Sequence, residues 1–252
     1  MDKYFTVNAE GCCIRARLYA PDRDEIRQVV LFGHGFGGHK DNRAAARFAD
    51  HVLEKNRNVA VVTFDWPCHG DDVRKVLRLE DCGAYLRIMV AYLNERFHAP
   101  QLFAYATSFG GYLFLKAISE GENPFRKMAL RCPAVNMYEV LSRSIMTKEA
   151  LAQLKKGKPA LIGFDRKIKI DAEFLESLKQ ADITRRDYLD QADELLILHG
   201  TEDEIVPVEA VKAFAEQNVI ELALIERANH RFQDPRKMDQ AISRITAFFG
   251  MK

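Results

Sequence analysis

The chain carries a serine, an acid and a histidine, each placed just after a short apolar run, and such a set could perform nucleophilic catalysis. Ser108 lies in "YATSFGGYL", where the apolar run "LFAYA" ends and a helical pattern begins. A serine hydroxyl is a weak nucleophile at neutral pH and needs an adjacent base. A strand-turn-helix setting is what a nucleophile elbow requires, and the residues two before and two after the serine must then be small. Ala106 and Gly110 satisfy that, and Gly111 permits a further close approach of helix to strand. The competing reading is a serine N-cap on an apolar helix.

His230, in "ERANHRF", is the candidate base, because it falls between the last apolar run and the last helical segment. His34 and His69 lie in glycine-flanked turns, His199 ends a strand, and His39, His51 and His98 fall in loops or on polar helix faces. The third member must be a carboxylate that holds the imidazole tautomer and stabilises the imidazolium. Asp203, in "LLILHGTEDEIVP", sits just past a strand end, with Glu202 and Glu204 as local alternatives. Acyl transfer also needs donors aimed at the developing oxyanion. The backbone NH of Phe109 is one, and "HGFGG" (residues 34–38) supplies the NH of Phe36 as the second. That glycine-rich stretch lacks the GK[ST] ending of a phosphate loop.

The elements that must hold these residues follow from periodicity. Strands are expected over Tyr4–Val7, Cys13–Tyr19, "QVVLFGHG", "NVAVVTFD", "QLFAYA", "KMALRC", "ELLILHG" and "VIELALIE". Helices are expected over Arg43–Lys55, Leu79–Arg96, Phe109–Ser119 and Pro235–Phe249. Strands alternating with helices argue for an α/β fold, a mostly parallel eight-stranded sheet covered on both faces, with the first two strands forming an antiparallel edge. The stretch from Pro133 to Asp193 is too long for a crossover helix alone. It holds helical pieces (Lys148–Lys155, Ala172–Ala181) and a hairpin-like "ALIGFDRKIKID". The chain therefore reads as one domain, 1–252, with 134–193 inserted after strand 6 as a cap over the crevice where open α/β sheets bind ligands.

With 252 residues, 48% apolar and 29% charged, and a net charge of +1, the composition is that of a globular protein with no polyanion partner such as nucleic acid. The N-terminus has no apolar leader and no window spans a membrane, so a cytoplasmic location is expected. The cysteines (Cys12, Cys13, Cys68, Cys82, Cys132) are odd in number and scattered, the pattern of reduced thiols. Oligomeric state, monomer or homodimer, leaves no mark in the sequence.

"HGFGGHK", "DWPCHGDD", "ATSFGG", "LHGTEDEIVP" and "NHRF" occur in the order found in the α/β-hydrolase superfamily, and across nearly its whole length the chain resembles the bacterial cinnamoyl/feruloyl esterase-like serine hydrolases. The resemblance implies the triad Ser108, Asp203 and His230, the oxyanion amides of Phe36 and Phe109, and no metal or organic cofactor. The chain departs from the pattern at Ala106 and at Cys68, where relatives carry glycine. The expected activity is that of a serine carboxylesterase on small or medium esters, hydroxycinnamoyl esters among them. Peptidase, thioesterase, lipase or carbon-carbon hydrolase activity, and ligand binding without turnover, are the alternatives. Trp66, Tyr138, Phe164 and Phe232 fall in segments expected near the crevice and could take an aromatic acyl group, with core or cap packing as the competing role of each. The cationic run 166–169 could attract a carboxylate or form a solvated hairpin face.

Overall fold

A hairpin opens the chain. In the computed structural model, which describes residues 2–22, 25–98, 100–164 and 166–252, β1 (Asp2–Ala9) and β2 (Cys12–Tyr19) pair antiparallel around Glu10 and Gly11. Both turn residues have positive φ, 50° and 72°, as a two-residue hairpin turn needs. The remaining strands are β3 (Gln28–Gly33), β4 (Val59–Phe64), β5 (Gln101–Thr107), β6 (Lys127–Arg131), β7 (Ala160–Ile162), β8 (Ile168–Ile170), β9 (Leu195–Gly200) and β10 (Glu221–Ile225). One eight-stranded sheet runs β1-β2-β4-β3-β5-β6-β9-β10. It is parallel from β4 to β10, and only β1 and β2 run against their neighbours. This is the α/β-hydrolase fold, and the expected strands all belong to it. A separate two-stranded sheet, β7 with β8, forms the expected hairpin; Asp165 at its turn lies outside the described residues.

Side-chain alternation along the central strands builds two cores. Val29 and Leu31, Ala60 and Val62, Leu102 and Ala104 point to one face, where Met89 and Leu93 of α2 (Leu79–Arg96) and Phe114 of α3 (Phe109–Glu120) cover them. Val30 and Phe32, Val59 and Val61, Phe103 and Tyr105 point to the other, against Phe48 and Val52 of α1 (Arg43–Lys55) and Ile242, Ile245 and Phe249 of the C-terminal helix. Strands buried on both faces read as unbroken apolar runs, which is why they stand out in the sequence. The helix Val208–Gln217 is absent from the sequence reading; its Val211 and Phe214 join the first core, behind β9. Its register hides in "VPVEAVKAFAEQ" because a proline, not a capping side chain, precedes it.

Between β6 and β9 the chain forms a short helical segment (Met137–Glu139, continued to Ile145 as a wider turn), the helices Lys148–Lys155 and Ala172–Gln180, the β7–β8 hairpin and two short 3-10 turns. Leu141, Leu154, Ile168, Phe174 and Tyr188 of this segment share the first core with α3. The Tyr112 hydroxyl donates to Ala181 O (3.0 Å) and that of Tyr188 to Leu115 O (3.2 Å), so the segment is also bonded to α3. At the hairpin base, Arg78 grips Asp171 with two hydrogen bonds (2.9 and 2.7 Å) and Leu77 NH donates to Lys169 O. Such paired guanidinium-carboxylate contacts fix geometry as well as adding attraction.

Candidate active site

The turn at the end of β5 bears on the N-cap reading of Ser108. An N-cap serine has extended backbone and accepts an amide hydrogen with its side chain. Ser108 has φ 51° and ψ −118° and makes no side-chain cap bond. The left-handed backbone of a non-glycine residue is a strain that neighbouring contacts must hold in place. Two main-chain bonds do so here: Ser108 NH donates to Arg131 O (3.0 Å) and Ala134 NH donates to Ser108 O (3.2 Å). Packing excludes larger neighbours. A Cβ on Gly110 would sit 2.5 Å from Gly33 O and 2.7 Å from His34 O, and one on Gly111 would sit 2.9 Å from Pro133 Cβ. Gly110→Ala is therefore expected to destabilise the fold by about 1–3 kcal/mol, as overpacking does. Denaturant unfolding checks this, and an unchanged midpoint would remove the close-approach argument.

The segment 34–38 turns beside this elbow. A Cβ on Gly35 would lie 3.2 Å from Ser108 Cβ, and Gly38 NH closes the turn on Gly35 O (2.9 Å). No acceptor among the described residues takes the amide hydrogens of Phe36 and Phe109. Their side chains meet edge to face, with ring centroids 5.6 Å apart, and both pack on His69. His34 braces the turn from below. Its Nδ1 lies 2.9 Å from Gly35 O, so Nδ1 carries the hydrogen, and Nε2 accepts from Trp66 NH (3.4 Å). Asp65 ties the same loop to the next one: its Oδ1 accepts Lys40 NH (2.6 Å) and its Oδ2 accepts Asp71 NH (2.8 Å). Cys68, the departure noted in the sequence, takes φ 65°, the conformation that glycine adopts at least cost.

Asp203 and His230 meet at the same sheet edge, in the loops after β9 and β10. His230 Nδ1 lies 2.8 Å from Asp203 Oδ2, the Asp203 side chain is fully buried and that of His230 is 12% exposed. Asp203 Oδ1 accepts the amides of Ile205 (2.9 Å) and Val206 (2.8 Å). Burial works to raise the Asp203 carboxyl pKa, yet these donors, His230 foremost, hold it below the ordinary carboxylate value. Glu204 accepts His230 NH (3.2 Å) and so anchors the histidine loop, and Glu202 NH bonds Ala228 O (3.0 Å). Gly200 makes the crossing of these loops possible, since a Cβ there would lie 2.1 Å from Ala228 O. Ser108 Oγ itself makes no hydrogen bond to another described residue.

Residues that the sequence reading passed over complete the setting. Arg131, at the end of β6, donates to the Tyr105 hydroxyl (3.2 Å) and to His230 O (3.2 Å) and stacks over Phe232 (4.9 Å). His199 Nε2 is 3.1 Å from Val206 O and 3.3 Å from Asp203 Oδ2. A carbonyl can only accept, so Nε2 carries the hydrogen and donates it to Val206 O, beside the carboxylate. Cys132, just past β6, turns its thiol to the same carboxylate. The only sequence signal for these is position: each ends or follows a strand of the parallel sheet.

The four aromatic residues proposed for the pocket separate. Trp66 is fully buried, its Nε1–H donates to His34 O (3.0 Å) and its ring packs on Phe64 and Phe114, so it braces the 34–38 turn and does not line a pocket. Phe232 is buried beneath the Arg131 guanidinium, in the core on the opposite sheet face from α3. Both are corrections with one cause: a large ring next to a strand end fills the void under the loop. Tyr138 is half-buried under the Lys179 ammonium (4.9 Å), within the inserted segment. Phe164, 42% exposed, is at the hairpin turn with the Arg231 guanidinium 5.5 Å from its ring centre. A Cβ on the neighbouring Gly163 would lie 3.7 Å from the Phe36 ring, so the hairpin turn sits over the 34–38 loop and reaches the histidine loop. In the cationic run, Lys167 is engaged with Gly163 O (2.5 Å) and Arg166 is exposed.

Three histidines near the site are held neutral by burial: His34 well below the ordinary imidazole value, His69 at about 4, and His199 lowered. The unfolded chain would protonate them near 6.5, so below that pH unfolding takes up protons that the folded state refuses. Stability should be fully present above about pH 6.5 and fall as the pH drops towards 4, by on the order of 3 kcal/mol for His69 alone. Denaturant midpoints at pH 7.5 and pH 5 measure it, and equal midpoints would contradict neutral burial.

Comparison with known proteins adds the lineage. The sequence profile described as the prolyl oligopeptidase family matches residues 65–252. No curated protein matches the chain by sequence. Among solved structures, Est1E from Butyrivibrio proteoclasticus with ferulic acid bound superposes with a TM-score of 0.80 at 19% identity, over 97% of each chain. The esterase domain of a Rhodothermus marinus protein superposes at 0.71 with 20% identity, over 98% of this chain and 97% of that one. A dienelactone hydrolase from Anabaena variabilis does so at 0.66 with 14% identity, over 100% and 99%. At these identities the structures speak for the fold. Among the described residues no helix is long and apolar enough to cross a membrane.

Proposed function

The chain belongs to the prolyl oligopeptidase family of α/β-hydrolases, and from that premise we propose that it is a serine hydrolase of carboxylic esters, acting through Ser108, His230 and Asp203. The observation that carries the reading is the convergence at one sheet edge of an uncapped, left-handed Ser108 and a His230 whose Nδ1 is 2.8 Å from buried Asp203. His230 Nε2, on the far side of the ring from Asp203, takes the Ser108 proton as Oγ attacks the acyl carbon. Asp203 holds the required tautomer and balances the imidazolium. The amides of Phe36 and Phe109, without acceptors among the described residues, receive the oxyanion. His230 then protonates the leaving alcohol, and a water activated by the same ring releases the acid from Ser108.

The segment 134–193 acts as the cap, with the β7–β8 turn poised above the 34–38 loop and Phe164 at its rim. Small or medium acyl groups fit this reading, and hydroxycinnamoyl esters are the first to try, because the structure of Est1E holds ferulic acid. A peptidase is the second reading, favoured by the family to which the profile belongs. The test pairs a fluorophosphonate probe with a panel of p-nitrophenyl esters of graded length, methyl ferulate, an acyl-CoA and aminoacyl p-nitroanilides. Labelling at Ser108 and faster turnover of esters than of anilides are expected. Labelling with anilides preferred would establish the peptidase, and no labelling of the folded chain would overturn both.

A further inference from the structure

We propose that Cys132, Asp203 and His230 form a binding site for a soft divalent cation such as Zn2+, and that its occupancy blocks hydrolysis. The effect on turnover rests on the triad reading given above, whereas binding of the ion does not. One ligand atom from each residue, a thiol sulfur, a carboxylate oxygen and an imidazole nitrogen, lies within 4.8 Å of the other two. These are the ligand types that zinc takes. Two of them, His230 Nδ1 and Asp203 Oδ2, are already aligned at 2.8 Å.

The surroundings are those of a built site. Metal-binding carboxylates work best when further hydrogen bonds fix their orientation. Asp203 has such bonds from the Ile205 and Val206 amides on Oδ1, and His199 Nε2 lies 3.3 Å from Oδ2. Cys132 is fixed by its own backbone, at φ 49° with its NH donating to Leu198 O (2.8 Å). The thiol and carboxylate are buried and only the His230 ring is partly exposed, so the ion would enter from the histidine side.

Charge accounting favours occupancy. Without an ion the three groups carry a single negative charge, that of Asp203. On binding, the Cys132 S–H proton leaves to solvent, since a coordinating thiol is deprotonated outright, and the His230 hydrogen shifts from Nδ1 to Nε2, which keeps the ring neutral and frees Nδ1 for the ion. Thiolate, carboxylate, neutral imidazole and dication then sum to zero in a buried place. Mg2+ and Ca2+, which demand oxygen ligands, find one carboxylate here and gain little. With Nδ1 coordinated and a cation beside the ring, His230 can no longer accept the Ser108 proton.

The full chain, freed of metal with EDTA, would be titrated with Zn2+ while ester turnover and fluorophosphonate labelling are followed. Saturating Zn2+ should slow both at least about tenfold, EDTA should restore them, and Mg2+ or Ca2+ should do nothing. Co2+ should bind with a thiolate-to-metal charge-transfer absorption. In Cys132→Ala and Cys132→Ser, each compared with its own metal-free rate, the Zn2+ concentration for half-inhibition should rise by about 100-fold or more, since even partners outside the ligand set cost 10–100-fold in affinity. Full activity of the unaltered chain in Zn2+, or equal Zn2+ sensitivity in a folded Cys132 variant, would overturn the proposal. If the triad reading were wrong, turnover and labelling would be missing from the start, yet the cobalt absorption would still appear and would be lost on Cys132→Ala.

Discussion

Ser108→Ala is expected to lower kcat/KM for the best ester by about 10⁶, or roughly 8 kcal/mol of transition-state stabilisation, and to leave the fold intact. The size follows from what is removed. The hydroxyl is the only nucleophile at the elbow, and without it neither a covalent intermediate nor the proton transfer to His230 can occur. The fold should survive because Ser108 is held by its backbone bonds to Arg131 O and Ala134 NH, and its side chain makes no hydrogen bond to another described residue. The backbone strain at φ 51° is present with either residue, since alanine carries the same Cβ. Residual hydrolysis above background should persist, because the Phe36 and Phe109 amides and the bound substrate geometry remain. Steady-state kinetics on the substrate chosen from the panel, with far-UV circular dichroism as the folding control, decide it. A loss below about tenfold would mean that another group performs the attack.

The parts of this site most legible in the sequence are those whose chemistry requires a fixed local geometry. The strand ends at Thr107, Gly200 and Ile225 announce themselves because buried parallel strands are unbroken apolar runs, and Ser108, Asp203 and His230 follow them. The small residues at the elbow are legible for the same reason: Gly110 touches the backbone of Gly33 and His34, and no larger residue fits. What stayed hidden depends on which strands become neighbours. Arg131 reaches the histidine loop and Cys132 reaches Asp203 because β6 lies beside β9, a pairing that no spacing in the chain encodes. The role of Trp66 is ambiguous in the sequence for a related reason. Its position after a strand suits a pocket wall and a loop brace equally, and its burial against His34 shows which role it has. The aromatic residue left near the rim, Phe164, owes its place to the hairpin and not to the core pattern.

Asp203→Asn is expected to cost about 10⁴ in kcat with little change in geometry, by installing the wrong imidazole tautomer. An asparagine could in principle turn its oxygen towards His230 and spare the tautomer, but the surrounding bonds forbid it. Oδ1 accepts two backbone amides, from Ile205 and Val206, and an NH2 group cannot stand in for it. The amide nitrogen must therefore occupy the place of Oδ2, where it faces His230 Nδ1. Nδ1 then becomes an acceptor, Nε2 carries the hydrogen, and the ring has no lone pair for the Ser108 proton. The folded variant should also be less stable than the parent at neutral pH, and the difference should narrow in acid. Asp203 has a depressed carboxyl pKa, so its stabilising charge is present above the ordinary value of 3.8 and is lost as the pH falls through the lower folded value. Fluorophosphonate labelling should slow in parallel with kcat, because both need the same proton transfer. A variant that kept near-parent rates would show that His230 holds its working tautomer without Asp203, and His199 and Glu204 would then be the partners to remove next.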